Sequence, residues 1–361
     1  MQPNPPQREA RKRRFFYLAR GRRRTARHRM EPSFLVMDIR ARGQVFRLRR
    51  RSLENRTSKE DRVMNILVLG GTRFVGKRLV NLLLEEGHEV TIGTRGKTET
   101  SFVRPVEHLV LDREDKASLA AAVDGRAWDV VYDQICYSPE DAAIAVEVLA
   151  GKTKRYIEVS TLSVYEESPE RLAETAWMPG GYPVTGGSRH TLSYGEGKRQ
   201  AEAVLWEQDR FEAVMVRFPI ILGPDDYTKR LHFHVDKVLG GEPIGVPSQD
   251  ARISFVHSAE AAAFLCWLKD SSLTGPVNCC SNGDVSIREV IGLVEKATGK
   301  TAVIREQSAD EQRSPFGIGK SWHMDNSLAA EAGFEFYSLE HWLPELAEEL
   351  AAAAKAAHAG N

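Results

Sequence analysis

A chain of 361 residues with 50 Lys/Arg and 50 Asp/Glu is long enough for two domains or one large α/β unit, and its even charge hides a division. Residues 1–62 hold 20 Lys/Arg against 6 Asp/Glu, leaving 30 basic and 44 acidic residues for the remainder, so two kinds of sequence meet near residue 63. The four cysteines, Cys136, Cys266, Cys279 and Cys280, contain no C-x-x-C pair, which excludes a disulfide framework or zinc ribbon and fits a reducing, cytoplasmic location.

No apolar run is long enough to span a bilayer, and arginines interrupt any signal-peptide core. Residues 1–63 read as a leader or a start placed upstream of Met64, with a targeting segment or a nucleic-acid-binding arm as the alternatives. The leader has too few apolar residues for a core, so disorder or poorly ordered helix is expected there. From Met64 onward the pattern changes. Residues 65–69 form a short apolar run with the look of a buried parallel strand. A glycine turn follows, then a helical stretch from Lys77 to Glu86 with Leu79, Val80, Leu83 and Leu84 on one face. Further strands are expected at 90–92, 109–111, 130–132, 156–159 and 214–217, with helices at 116–123 and 140–149 between them. This alternation predicts an α/β fold: a Rossmann doubly wound parallel sheet over 64–222, with a smaller C-terminal α/β part over 223–345 and a helical tail over 346–361. Residues 223–257, rich in Pro and Gly, read as largely loop, followed by helices near 258–268, 287–298 and 339–358.

The turn Gly70-Gly71-Thr72-Arg73-Phe74-Val75-Gly76 lies between a strand and a helix, where backbone N–H groups and a helix N-terminus can receive a pyrophosphate. Enzymes that prefer NAD usually place an acid after the second strand to hold the ribose hydroxyls. Here Arg95 and Lys97 stand in that place, with Arg73 able to reach it, which favours NADP over NAD. Asp112, after the third strand, is a candidate acceptor for the adenine amino group, or else a helix N-cap.

Tyr194 and Lys198 stand four apart, on one helix face. A lysine so placed lowers the proton affinity of the phenol, and can also bind a nicotinamide ribose, so that the tyrosine exchanges a proton with a substrate oxygen. Gly195 and Gly197 sit between them at a cost to the helix of about 1 kcal/mol each. The strand ending Ser160-Thr161-Leu162-Ser163 supplies a hydroxyl at the carboxyl end of the sheet. Thr161 is assigned to polarise the substrate oxygen, with Ser160 and Ser163 as alternatives. His232-Phe233-His234 has the spacing of two ligands on a strand, but no third ligand accompanies it, so no metal is expected. The loop holding Arg313 to Gly317 and Trp322 could line a pocket or pack on the surface.

Together these residues resemble the extended short-chain dehydrogenase/reductase family, the NAD-dependent epimerase/dehydratases. The resemblance covers roughly residues 64–345. It rests on the turn at 70–76, Ser160-Thr161 with Val164-Tyr165, Tyr194 with Lys198, Arg217-Phe218-Pro219 with Gly223-Pro224, and Arg252 with Phe255-Val256-His257. It implies that Phe218, Pro219 and Ile220 lie near the nicotinamide, that Arg252 and Ser163 meet the substrate, and that the chain could pair as a homodimer. Arg73 replaces the usual middle glycine, and Tyr132-Asp133-Gln134-Ile135 replaces a small-residue turn, so the chain resembles an atypical branch. Leu162 and Ser163 occupy the positions of the acid pair of 4,6-dehydratases, which disfavours elimination of water. The expected function is NADPH-dependent reduction of a carbonyl, with a nucleotide-sugar epimerase as the alternative. Some atypical relatives are chloroplast stem-loop RNA-binding proteins, which adds an RNA-binding or regulatory role. Against it stand the intact Tyr-Lys-Thr set and the acidic body after residue 63.

Overall fold

The computed structural model describes residues 62–359 and two strands within the basic leader, β1 (Leu35–Ala41) and β2 (Gln44–Arg50). These strands pair antiparallel, with Ile39 opposite Phe46 and Asp38 opposite Arg47. A hairpin therefore stands where disorder or helix was expected: two runs of alternating character flank a short Gly-containing link, which is a hairpin pattern. The rest of the expectation for residues 1–61 lies outside the described residues. The leader and residues 63–361 form separate units.

In the second unit the chain runs β3 (Asn65–Leu69), α1 (Phe74–Glu85), β4 (Glu89–Thr94), β5 (Glu107–Val110), α2 (Lys116–Ala122), β6 (Trp128–Asp133), α3 (Pro139–Leu149), β7 (Thr153–Thr161), α4 (Tyr194–Glu207) and β8 (Glu212–Phe218). It continues through β9 (Ile220–Leu222), α5 (Arg230–Gly240), β10 (Pro243–Gly245), β11 (Arg252–Ile253), β12 (Phe255–His257), α6 (Ser258–Leu268) and β13 (Gly275–Asn278). The last elements are β14 (Val285–Ser286), α7 (Ile287–Thr298), β15 (Val303–Arg305), α8 (Ser327–Glu331) and α9 (Leu339–Ala359). Seven strands form one parallel sheet in the order β13-β8-β7-β6-β3-β4-β5. The strand order reverses between β3 and β6, which opens the ligand crevice of a doubly wound sheet at their carboxyl ends.

Both faces of the sheet are buried, which is why β3 reads as an unbroken apolar run. Ile66 and Val68 pack with α1 and α6, and Leu67 and Leu69 with the helices of the other face, among them Leu119, Ala142, Ala145 and Ala201. Residues 223–257 contribute α5, whose Leu231, Val235 and Val238 enter a second core with α7 and α9. The helix was missed because it opens on Lys229 in a left-handed conformation, φ 55°, with no side-chain cap to announce it. After this part the chain returns: α6 packs on α1, and β13 adds to the sheet beside β8. Helix α9 buries Trp342, Leu343, Leu346 and Leu350 in the second core.

An ion pair ties α4 to the sheet. Arg217 and Glu202 are both fully buried and joined through Nε at 3.0 Å; the guanidinium also donates to the Tyr165 hydroxyl at 2.8 Å and to the carbonyls of Glu174 and Trp177. The two glycines of α4 answer to close approach rather than to flexibility. A Cβ at Gly195 would lie 2.6 Å from the Ser163 carbonyl oxygen, and one at Gly197 would lie 2.5 Å from that of Tyr137. The loops after β6 and β7 thus press against the first turn of α4.

Gly197→Ala, which would ordinarily stabilise a helix by about 1 kcal/mol, is expected to destabilise the protein by about 1–3 kcal/mol, read as a lowered midpoint of thermal unfolding. Glu202→Ala should cost about 3–5 kcal/mol by stranding a buried guanidinium, whereas Glu202→Leu with Arg217→Met should recover most of that loss. Equal losses in the two proteins would exclude the uncompensated charge as the cause.

Candidate active site

The segments after β3, β4, β5, β7 and β8 and the first turns of α4 carry most of the residues that the sequence singled out, with Arg252 apart on β11. The turn after β3 needs left-handed backbone at Gly70, φ 95°, and Gly71, φ 90°, and a Cβ at Gly76 would lie 2.8 Å from the Gly71 Cα. Arg73 is extended and gives α1 no side-chain cap, and the first turn of α1 holds no acid, so its N–H groups stay free of a competing carboxylate. Phe74 takes a left-handed φ of 47° and meets the exposed Tyr227 edge-on, with ring centroids 6.1 Å apart. Gln134 packs against Gly70, and its buried Nε2 has no hydrogen-bond partner. A glycine cradle beside an orphaned donor fits the phosphates of a dinucleotide.

Arg73 leans across to the loop after β4, where its Nη2 donates to Thr98 Oγ1 at 3.2 Å. Arg95 and Lys97 are exposed in the same loop. Asp112 is exposed and accepts from the Glu114 N–H at 3.1 Å. The cap of α2 is Asp115, three residues further on, which accepts from the N–H groups of Ala117 and Ser118. Asp133, buried at the end of β6, accepts from Arg113 and from the Tyr156 hydroxyl at 2.6 Å.

Ser193 caps α4, which puts Tyr194 in its first turn, and the Tyr194 ring is half exposed and 6.4 Å from that of Tyr137. Lys198, one turn on, points inward. Its Nζ donates to Glu158 Oε1 at 3.0 Å and to the carbonyls of Cys136 and Val159, and lies 5.2 Å from the Tyr137 ring centre. Burial is the largest influence and opposes the ammonium charge, but Glu158 together with Tyr194 and Cys136 outweighs it and holds the lysine above its ordinary proton affinity. Thr161 Oγ1 accepts from the Ser163 N–H at 3.1 Å and donates to Ser163 Oγ at 3.3 Å, so these two hydroxyls lie together. Ser160 departs from the expectation of a cofactor contact. It faces the opposite side of β7, and its hydroxyl donates to Glu202 inside the Glu202–Arg217 pair, because side chains alternate along a strand.

Phe218 and Pro219 are buried and Ile220 is half-buried where β8 passes into β9. Arg78 of α1 holds Asp225 in a two-pronged pair at 2.9 and 3.1 Å, joining the glycine-turn helix to the loop after β9. Arg252 lies on β11, with its guanidinium engaged by Asp284 and, at 3.4 Å, by Glu289. His232 and His234 sit on α5, a helix and not the expected strand, so the two do not form a strand edge. His234 is fully buried, stacks on Phe316 and contacts Ser314 Oγ at 2.8 Å, and burial pushes its imidazole down to about 4, so it is neutral at pH 7. Ser314 and Phe316 of the 313–317 loop are thus core residues. Sequence reasoning missed Glu158, Gln134 and Tyr137; the signal for Glu158 was a carboxylate inside an otherwise apolar strand.

Residues 70–244 match the family model described as NAD(P)H-binding. Over 217 residues the chain is 31% identical to the chloroplast stem-loop binding protein of 41 kDa b of Arabidopsis thaliana, covering 55% of this chain and 54% of that protein, so it spans about half that relative's length. It is 24% identical over 253 residues to 2'-dehydrokanamycin reductase of Streptomyces kanamyceticus, covering 68% of this chain and 70% of the reductase. Among solved structures it is similar to UDP-glucose 4-epimerase of Thermotoga maritima with UDP-glucose, with a TM-score of 0.63 and 18% identity over 81% of this chain and 100% of that one. Residues 70–244 thus match an NAD(P)H-binding domain, and the 81% of the chain that aligns has the fold of the extended short-chain dehydrogenase/reductase (NAD-dependent epimerase/dehydratase) family.

Proposed function

We propose that the protein is an NADPH-dependent reductase of a carbonyl substrate. What supports this reading is that Tyr194 and Lys198 lie one turn apart on α4, whose Gly195 is pressed against Ser163, while the Thr161 and Ser163 hydroxyls pair at the end of β7. Gly70 to Gly76, with Gln134, would hold the phosphates. Arg73 and Arg95 would take the 2′-phosphate, and Phe218 to Ile220 would wall the nicotinamide. When bound, the dinucleotide supplies the hydride. Thr161 Oγ1 donates a hydrogen bond to the carbonyl oxygen, given up from Ser163, and the Tyr194 hydroxyl gives its proton to that oxygen as negative charge gathers there. The Lys198 ammonium stabilises the phenolate left behind.

Epimerisation of a nucleotide sugar is the second reading. It is less well supported because Arg252, the cation that the resemblance puts beside the substrate, is already met by two carboxylates. RNA binding is less well supported still, since residues 63–361 carry more acid than base. The four cysteines are free and buried, in keeping with a cytoplasmic enzyme. No helix among the described residues is long and apolar enough to cross a membrane.

Fluorescence titration is expected to give tighter binding of NADPH than of NADH. Arg73→Ala with Arg95→Ala should weaken NADPH about tenfold or more and leave NADH nearly unchanged; tighter binding of NADH by the natural chain would remove the preference argued here. Across a panel of carbonyl substrates, Tyr194→Phe should lower kcat about 10²-fold or more with little change in KM. Unaltered turnover would refute its role as proton donor. NADPH should be consumed once per turnover, whereas an epimerase would leave its cofactor undiminished.

A further inference from the structure

Glu158 lies in β7, a strand paired on both sides, and is fully buried. Such a carboxylate is costly unless it is answered. Its Oε1 accepts from Lys198 Nζ at 3.0 Å, while its Oε2 is buried without a hydrogen-bond partner. An ammonium has three N–H donors. Lys198 directs them at Glu158 and at the carbonyls of Cys136 and Val159, so all three are engaged within the protein. A hydrogen bond from Lys198 to a bound ribose would require one of these to be released. What remains for Lys198 to exert on Tyr194, four residues earlier on the same helix, is its charge.

That charge is set by the surroundings. Around the pair lie Tyr194 and Glu202 from α4, Asp133 at the end of β6, and Cys136 and Tyr137 in the loop after it; beyond these, Arg113 and Tyr156 bond to Asp133, and Arg217 bonds to Glu202. Arg113 is met by Asp133 at 2.7 Å and by Asp141 at 3.7 Å, and Arg217 is met by Glu202. Each neighbouring buried cation therefore has its own carboxylate, and Glu158 is the one for Lys198.

We propose that Glu158 is a positioning residue of this site: it anchors Lys198 beneath Tyr194 and offsets its charge, so that the carboxylate–ammonium pair, not the lysine alone, governs how readily Tyr194 gives up its proton. The inference rests on the reading of Tyr194 as proton donor.

The test is a titration of phenolate absorbance in the full chain without substrate or cofactor, subtracting for each protein its Tyr194→Phe version. Glu158→Gln keeps the shape and an acceptor for Lys198 but removes the negative charge. The Tyr194 contribution is then expected to rise at a pH lower by about one unit, a tenfold gain in phenolate at fixed pH. Glu158→Gln with Lys198→Met removes both charges and should return the curve to that of the natural chain. Superimposable curves for the natural chain and Glu158→Gln would overturn the proposal. Should Glu158→Gln fail to fold, the double variant decides: a curve like the natural one supports the offset, and a curve displaced by a unit to higher pH sinks it. Turnover of Tyr194→Phe separates the two readings. No shift in Glu158→Gln with Tyr194→Phe inactive removes only the role of Glu158. A shift with Tyr194→Phe fully active removes the proton-donor reading, and the active-site role of Glu158 with it.

Discussion

The site is organised around a buried ammonium that has nowhere else to go. Lys198 is reached by a carboxylate from β7 and by two backbone carbonyls, one from the loop after β6 and one from β7 itself. These three acceptors fix where the first turn of α4 lies, and therefore where Tyr194 stands. The same turn is pressed by the Ser163 and Tyr137 carbonyls against Gly195 and Gly197, so charge and steric contact define one position. A side chain larger than hydrogen at either glycine, or an unpaired lysine, would have to move the helix. The helix carries the Tyr194 phenol as a consequence of packing, with the ring half exposed and Lys198 buried one turn on.

Around this turn the sheet provides rigidity. A parallel sheet buried on both faces leaves its strands little freedom, and its carboxyl ends can hold side chains from distant stretches of chain in fixed register. The pair Arg217–Glu202 extends this rigidity sideways. Its guanidinium gathers α4, β8, Tyr165 and the carbonyls of Glu174 and Trp177 at one point. That point also captures the Ser160 hydroxyl, leaving Thr161 and Ser163 as the hydroxyls paired at the strand end. Neighbouring hydroxyls at one strand end thus have separate partners, Ser160 the buried ion pair and Thr161 its neighbour Ser163.

The C-terminal part is tied to the glycine turn by Arg78 and Asp225, and its own polar residues are heavily committed. His234 is neutral and stacked in the core, and Arg252 is neutralised by Asp284 and Glu289. By contrast, Arg95 and Lys97 stand exposed in the loop after β4, which Arg73 reaches through Thr98. Positive charge is thus exposed in the loop after β4 and neutralised at Arg252, an asymmetry that supports the proposed reductase over a sugar-nucleotide epimerase.

Local rules in the sequence determined the strand, glycine turn and helix from 65 to 86, the alternation that makes a parallel sheet, and the Tyr194–Lys198 spacing. Each depends on residues close in the chain, whose periodicity and backbone preferences act whatever the rest of the molecule does. What α5 would do was less legible, since it opens without a capping side chain and its apolar positions are interrupted by histidine and charge. Only the tertiary structure decided that Glu158 answers Lys198 across 40 residues, that Ser160 belongs to Glu202 across 42, and that the glycines of α4 exist for carbonyls of other loops. Those choices are made by burial: once water is excluded, every charge and polar atom must find its partner among groups that sequence proximity does not name.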